Sequence, residues 1–203
     1  PGSLRRHVLT QTKGKTNWRT ILKDIIAKTN TAYDTGRFAK RPMAAGVFIP
    51  RTVLVENLAP VAAILDTSGS MSSNEINNFL GELKRIFRFY PNAKVLILLA
   101  HHVVYAEFKV NKNNIDSISH EVAQKAAKGG GINIVPVNNY IVNHGYDKAL
   151  KALIFFTDGW YCDKHIPKLL TNVRNYALIN DPQGFDAMQK IPNMNCYYVD
   201  FGK

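Results

Sequence analysis

Two short apolar runs, each ending in aspartate, constrain this chain most. Val61 to Leu65 leads into Asp66, and Leu153 to Thr157 leads into Asp158. Runs of this length without polar alternation suit parallel strands buried on both faces. Parallel strands cannot be joined by a tight hairpin, so a crossover must lie between them. The intervening sequence supplies it. Ser72 and Glu75 form an S-x-x-E capping box. The helix behind it carries Ile76, Phe79, Leu80, Leu83, Ile86, Phe87 and Tyr90 on one face, and Pro91-Asn92 closes it. Lys94 to Ala100 is a second buried strand. Val104, Ala106, Phe108 and Val110 alternate as a half-exposed strand, close enough behind it to predict an antiparallel hairpin through His101-His102. A helix from Ile115 to Lys128 stops at Gly129-Gly130-Gly131, a short helix starts near Pro136, and Asn195 to Phe201 is a last strand. This order predicts an α/β fold: a mostly parallel central sheet with one antiparallel edge strand and helices on both faces. Sites in such sheets form beyond the carboxyl ends of the strands, where Asp66 and Asp158 lie.

The first 45 residues read differently. Trp18, Ile21, Leu22, Ile25 and Ile26 form one apolar helical stripe, ended by Thr29-Asn30. Asp34 to Pro42 reads as a basic loop. Pro1-Gly2-Ser3 has the look of a tag-cleavage scar. The expected division is a basic helical extension over residues 1–45 and a main domain over 46–203. Lysine and arginine number 26 against 15 acidic residues, a net charge of +11. That balance suits a nucleic acid, an anionic membrane or an acidic protein without choosing among them. No run approaches the roughly 20 apolar residues of a membrane span. Two cysteines, Cys162 and Cys196, are no disulfide framework, so a reducing, cytoplasmic setting is expected.

The segment from Asp66 to Ser72 carries the chemistry. Asp66, Ser68 and Ser70 stand at i, i+2 and i+4 between an apolar strand and a capped helix. One carboxylate and two hydroxyls in a tight loop are hard oxygen ligands of the kind magnesium takes while keeping several waters. The same residues also suit a serine-rich turn that merely caps a helix.

Asp66-Thr67-Ser68-Gly69-Ser70 resembles the D-x-S-G-S motif of von Willebrand factor A (VWA) domains, a Rossmann-like family. Phe155-Phe156-Thr157-Asp158-Gly159 resembles that family's second aspartate motif, and Lys128 to Asn133 its glycine-rich loop. The segments around Trp18-Arg19, Gly36 to Pro42 and Val47 to Pro50 resemble the lead into the VWA part of a bacterial and phage group. Members of that group often carry a metallopeptidase-like domain and are encoded beside MoxR-type AAA+ ATPases. The resemblance implies a metal-ion-dependent adhesion site holding magnesium, or manganese or calcium, with Asp66, Ser68 and Ser70 as ligands. It implies that Asp158 reaches the metal through water; an aspartate held by backbone amides before Gly159 is the alternative. The family's loop threonine is replaced here by Ile132, leaving water or Asn133 to supply the oxygen, so Ile132→Thr is expected to tighten metal binding.

These features predict a non-enzymatic protein-interaction module whose metal accepts a partner's acidic group. The implied partner is a MoxR-type AAA+ ATPase or its client. A basic nucleic-acid-associated module is the second reading, through residues such as Arg5, Arg6, Arg19, Lys23 and Arg37. A metal-dependent hydrolase ranks third, because no H-E-x-x-H, Walker A or G-x-S-x-G pattern occurs. His101, His102, Cys162, Asp163 and His165 lack the paired spacing of a zinc site.

Overall fold

A computed structural model describes residues 17–38, 50–54, 61–67, 72–126 and 131–201, with side chains at 17–27, 61–67, 72–126 and 131–201. The central sheet has six strands. They are β3 (Val61–Asp66), β4 (Lys94–Ala100), β5 (Val104–Asn111), β6 (Ala152–Thr157), β7 (Arg174–Ile179) and β8 (Met194–Tyr198). Their order is β5-β4-β3-β6-β7-β8, and every pairing is parallel except β4 with β5. A mostly parallel sheet with one antiparallel edge strand is therefore what the alternation of runs predicts. β3 is central, and all six of its residues are buried, as an unbroken apolar run requires.

Helices cover both faces. On one side α1 (Trp18–Asn30), α2 (Ser73–Phe89) and α3 (Ile115–Lys125) pack through Leu22, Ile26, Leu83, Phe87 and Val122 onto Ala63, Leu65 and Ile97 of the sheet. On the other, α4 (Ile134–Asn143) and α5 (Pro182–Met188) pack through Val137, Ile141 and Met188 onto Ala62, Ile64 and Leu98. Successive β-strand residues face opposite sides, so the same run feeds both cores. Trp18 is 1% exposed and lies edge-on to Phe156 and Phe201, at 6.1 and 5.9 Å between ring centroids. The apolar stripe of α1 is thus part of the main core.

Local signals place α2 well. Ser72 caps it, accepting from Glu75 N–H, while the Glu75 carboxylate accepts from Ser72 N–H at 2.7 Å. Other boundaries moved. The stretch expected as a loop from Asp34 belongs through Phe38 to β1 (Thr31–Phe38), which pairs antiparallel with β2 (Pro50–Leu54) in a separate ribbon; residues 39–42 lie outside the described residues. Ribbon pairing is a non-local choice that a basic composition does not reveal. α3 stops at Lys125, before the glycines, and α4 begins two residues ahead of Pro136, which sits in its first turn. The last strand runs from Met194 to Tyr198, ending short of Phe201. α5 carries clear local marks: Asp181 caps it, accepting from Gly184 N–H, and Pro182 opens its first turn.

Candidate metal-ion site

Asp66 ends β3 and Thr157 ends the neighbouring parallel strand β6, so both arrive at the same end of the sheet. Asp66 is fully buried. The Thr157 hydroxyl donates to Asp66 Oδ2 at 2.6 Å and lies 3.4 Å from Asp158 Oδ1. One hydroxyl therefore sits between the two carboxylates. Its proton is committed to the shorter contact, and its oxygen accepts from Gly159 N–H at 2.9 Å. Asp158 Oδ1 accepts from Trp160 N–H at 3.0 Å, the turn-type contact an aspartate before glycine makes. The expectation that Asp66 and Asp158 share one end of the sheet holds.

Gly159 makes this turn possible. Its φ is +91°, and a Cβ there would come within 2.5 Å of the Gly184 carbonyl carbon. The turn and the start of α5 approach so closely that neither position accepts a side chain.

The glycine-rich loop crosses the same end. Asn133 N–H donates to His101 O at 3.0 Å, just beyond β4, and Cys162 N–H donates to Ile132 O at 2.9 Å, just beyond β6. β3 lies between those two strands, so Asn133 belongs to the loop that spans the Asp66 end. Asn133 is also the N-cap residue of α4, a position where asparagine normally bonds the helix amides. Here it does not. The Asp163 carboxylate takes that role, accepting from Ile134 N–H at 2.7 Å and Val135 N–H at 3.3 Å. Asn133 Oδ1 is left buried with no hydrogen-bond partner among the described residues. A buried carbonyl oxygen without a donor is costly, and a cation is one remedy.

These residues fit a hard divalent ion: a buried carboxylate, a second carboxylate beside it and an orphaned amide oxygen. Ser68 and Ser70, the other two expected ligands, lie outside the described residues, as do Gly129 and Gly130. Among the described residues no three His, Cys, Asp or Glu side chains converge, and Asp163 is engaged at the head of α4. Ile132 is fully buried and packs in the core with Ala62, Ile64 and Ala100. The supporting roles of Thr157 and Asp163 beside the candidate site were not foreseen, although both residues stand in segments that the sequence singles out. Thr157 had a signal, being the one polar residue of its strand; Asp163 was weighed only beside Cys162 and His165, and its cap on α4, across 29 residues of sequence, left no mark.

Exposed apolar side chains surround this end. Val103, Val135, Trp160 and Ile166 are 51, 41, 49 and 56% exposed. Val103 lies in the β4–β5 turn, Val135 in the first turn of α4, and Trp160 and Ile166 in the segment after β6.

Comparison with known proteins gives one family. A family described as "VWA-like domain (DUF2201)" matches residues 61–172, more than half of the chain. No curated protein matches. Among solved structures, an aerotolerance-related membrane protein from Bacteroides fragilis NCTC 9343, with multiple mutations to serine, matches at 11% identity and a TM-score of 0.48, over 70% of this chain and 92% of its own. The SpRpn10 VWA domain matches at 8% identity and a TM-score of 0.43, over 69% of this chain and 87% of its own.

Proposed function

The chain belongs to the DUF2201 family of VWA-like domains, and from that premise we propose that it is a non-enzymatic interaction module that binds a partner's acidic group through a magnesium ion. The single observation that carries the reading is the position of the orphaned Asn133 oxygen: Asn138 and Asn175 also have buried oxygens without a partner among the described residues, but Asn133 stands in the loop that spans the Asp66 end of the sheet. Asp66, Asn133 and, through water, Asp158 would hold the ion with Ser68 and Ser70. The bound ion supplies a positive centre that a partner carboxylate can complete. The chain's own residues do the rest. Thr157 orients Asp66 through its 2.6 Å bond, and Asp163 frees Asn133 from its cap. Trp160, Val135 and Ile166 offer the apolar contact area that protein interfaces use around a polar anchor.

The partner implied by the motifs is a MoxR-type AAA+ ATPase or its client. Among the described residues no helix is long and apolar enough to cross a membrane. Neither cysteine forms a disulfide, and burial pushes the Cys196 thiol up to about 12. Titration calorimetry tests the reading: wild type should take up magnesium and Asp66→Ala should not. Equal heats from the two proteins would end it, and the loop would then be a structural turn. In a pull-down, capture of the ATPase should need both Asp66 and magnesium.

A further inference from the structure

We propose that the opposite end of the sheet, where the parallel strands begin, is a surface for the phosphate backbone of a nucleic acid. Almost every described strand brings a cation there. Lys94 opens β4, Lys112 follows β5, Lys151 precedes β6, Arg174 opens β7 and Lys190 lies in the turn leading to β8. β5 runs antiparallel, so its last residues reach the same end as the first residues of its neighbours: Lys94 pairs with Asn111. All five cations are exposed.

None of the five has an ion-pair partner among the described residues. Nearby cations that do have partners show the contrast: Lys84 holds Asp116 at 2.6 Å, and Glu82 lies between Arg19 and Arg85. Asp116 in the first turn of α3, held by Lys84, and Asp147 in the short 3-10 turn Tyr146–Lys148 are carboxylates near this end. The row follows the order of the strands across the sheet. Five strand spacings of roughly 4.8 Å make it about 24 Å long. That length runs beside about seven nucleotides of one duplex strand, at ~3.4 Å each. The charges stand within about a Debye length of their neighbours and repel one another unless an anion lies across them.

Exposed apolar side chains occur towards both ends: Val103, Val135, Trp160 and Ile166 at the carboxyl end, Phe89 at the last residue of α2 and Val142 in the last turn of α4. What marks the amino end is the row of cations with exposed amides beside it: Asn92 and Asn113 line a cleft of ≈ 420 Å³ with Lys94 and Lys112. Lysine, arginine and amide side chains are the usual phosphate contacts. The cations come one each at the ends of five of the six strands, so they track a backbone without presenting a set of side chains to base edges. Binding should therefore tolerate sequence.

The test is fluorescence anisotropy of the full chain with a labelled duplex of ~20 base pairs, between about 50 and 200 mM salt. Five neutralised phosphates give a slope of about −4.5 in log affinity against log salt, an affinity loss of about 500-fold over that range. The triple variant Lys94→Ala, Lys151→Ala, Arg174→Ala should keep its melting temperature and reduce the slope by about 2.7 in magnitude. Asp66→Ala should bind DNA as wild type does. No measurable binding at the lowest salt overturns the proposal. So does an unchanged slope in the triple variant, which would assign binding to other cations such as Arg5 and Arg6. Equal or tighter binding of poly-glutamate would make the surface an acidic-protein site and equally overturn it.

Discussion

Asn133 and Thr157 decide what the candidate site can do, and each makes a prediction at the scale of one side chain. Asn133 Oδ1 is buried without a donor, so removing it removes a penalty. Asn133→Ala should leave metal-free stability unchanged or raise it by up to about 1 kcal/mol, while weakening magnesium binding. A purely structural asparagine would lose stability instead, and urea melts in chelator measure the sign. Thr157→Val acts the other way. It strands the Gly159 N–H and removes the Thr157 hydroxyl's bond to Asp66 Oδ2, costing about 1–3 kcal/mol with or without metal. Ile132 bears on the core as well as the loop. Ile132→Thr puts a hydroxyl among Ala62, Ile64 and Ala100, so its melting temperature in chelator should fall. If the hydroxyl reaches the metal, magnesium should recover more stability in this variant than in wild type. Equal recovery in both proteins would remove position 132 from the metal's surroundings.

At the scale of elements, α1 and α4 are held by contacts that their own sequences do not contain. α1 has 13 residues, too few to be stable alone in water, and depends on its buried stripe. Trp18→Ala should cost about 3–5 kcal/mol, as truncating a buried aromatic does. Trp18→Phe should cost less, because Trp18 Nε1 has no acceptor among the described residues. α4 is pinned at its head by Asp163 and at its tail by Glu107 of β5. Tyr140 Oη donates to Glu107 at 2.8 Å and Tyr146 Oη at 2.6 Å. Burial raises the Glu107 carboxyl, but the two hydroxyls and Lys109 outweigh it and leave a net lowering. Burial, helped by the Glu107 bond, pushes Tyr140 from 10.0 up to about 12. A neutral tyrosine with a raised folded pKa contributes fully below pH 10, and loses that contribution as pH climbs toward 12. Melting temperatures across that window should fall more for wild type than for Tyr140→Phe. Parallel curves would mean that the network adds nothing to stability.

For the whole molecule, a bound ion should appear as stability. An ion that binds only the folded chain adds about 2.7 kcal/mol at a concentration of 100 times its Kd. For a domain of this size that is about 5–10 °C in melting temperature. Magnesium should therefore raise the melting temperature of wild type and not that of Asp66→Ala. The two proposed surfaces lie at opposite ends of one sheet, so metal and salt should act independently: chelator should leave DNA binding unchanged, and salt should affect it strongly.

Much of this architecture was legible without coordinates, for reasons of local physics. An unbroken apolar run must be buried on both faces, so β3, β4 and β6 announced themselves as parallel core strands. Ser72 and Glu75 close a cap within four residues, and the stripe of α2 repeats every turn, so that helix needed no partner to be recognised. Aspartates at two strand ends also pointed to one end of the sheet, because parallel strands bring their carboxyl ends together. The rest depended on tertiary structure. The pairing of β1 with β2 is a register choice between segments whose composition spoke for a loop. The Asp163 cap on α4 joins residues 29 apart, and the Thr157 bond to Asp66 joins residues 91 apart. Hydrogen bonds of that span leave no periodicity in a sequence. Whether an asparagine at a helix start caps its helix or is free for a metal depends on which carboxylate the fold brings beside it, and only the packed chain settles that.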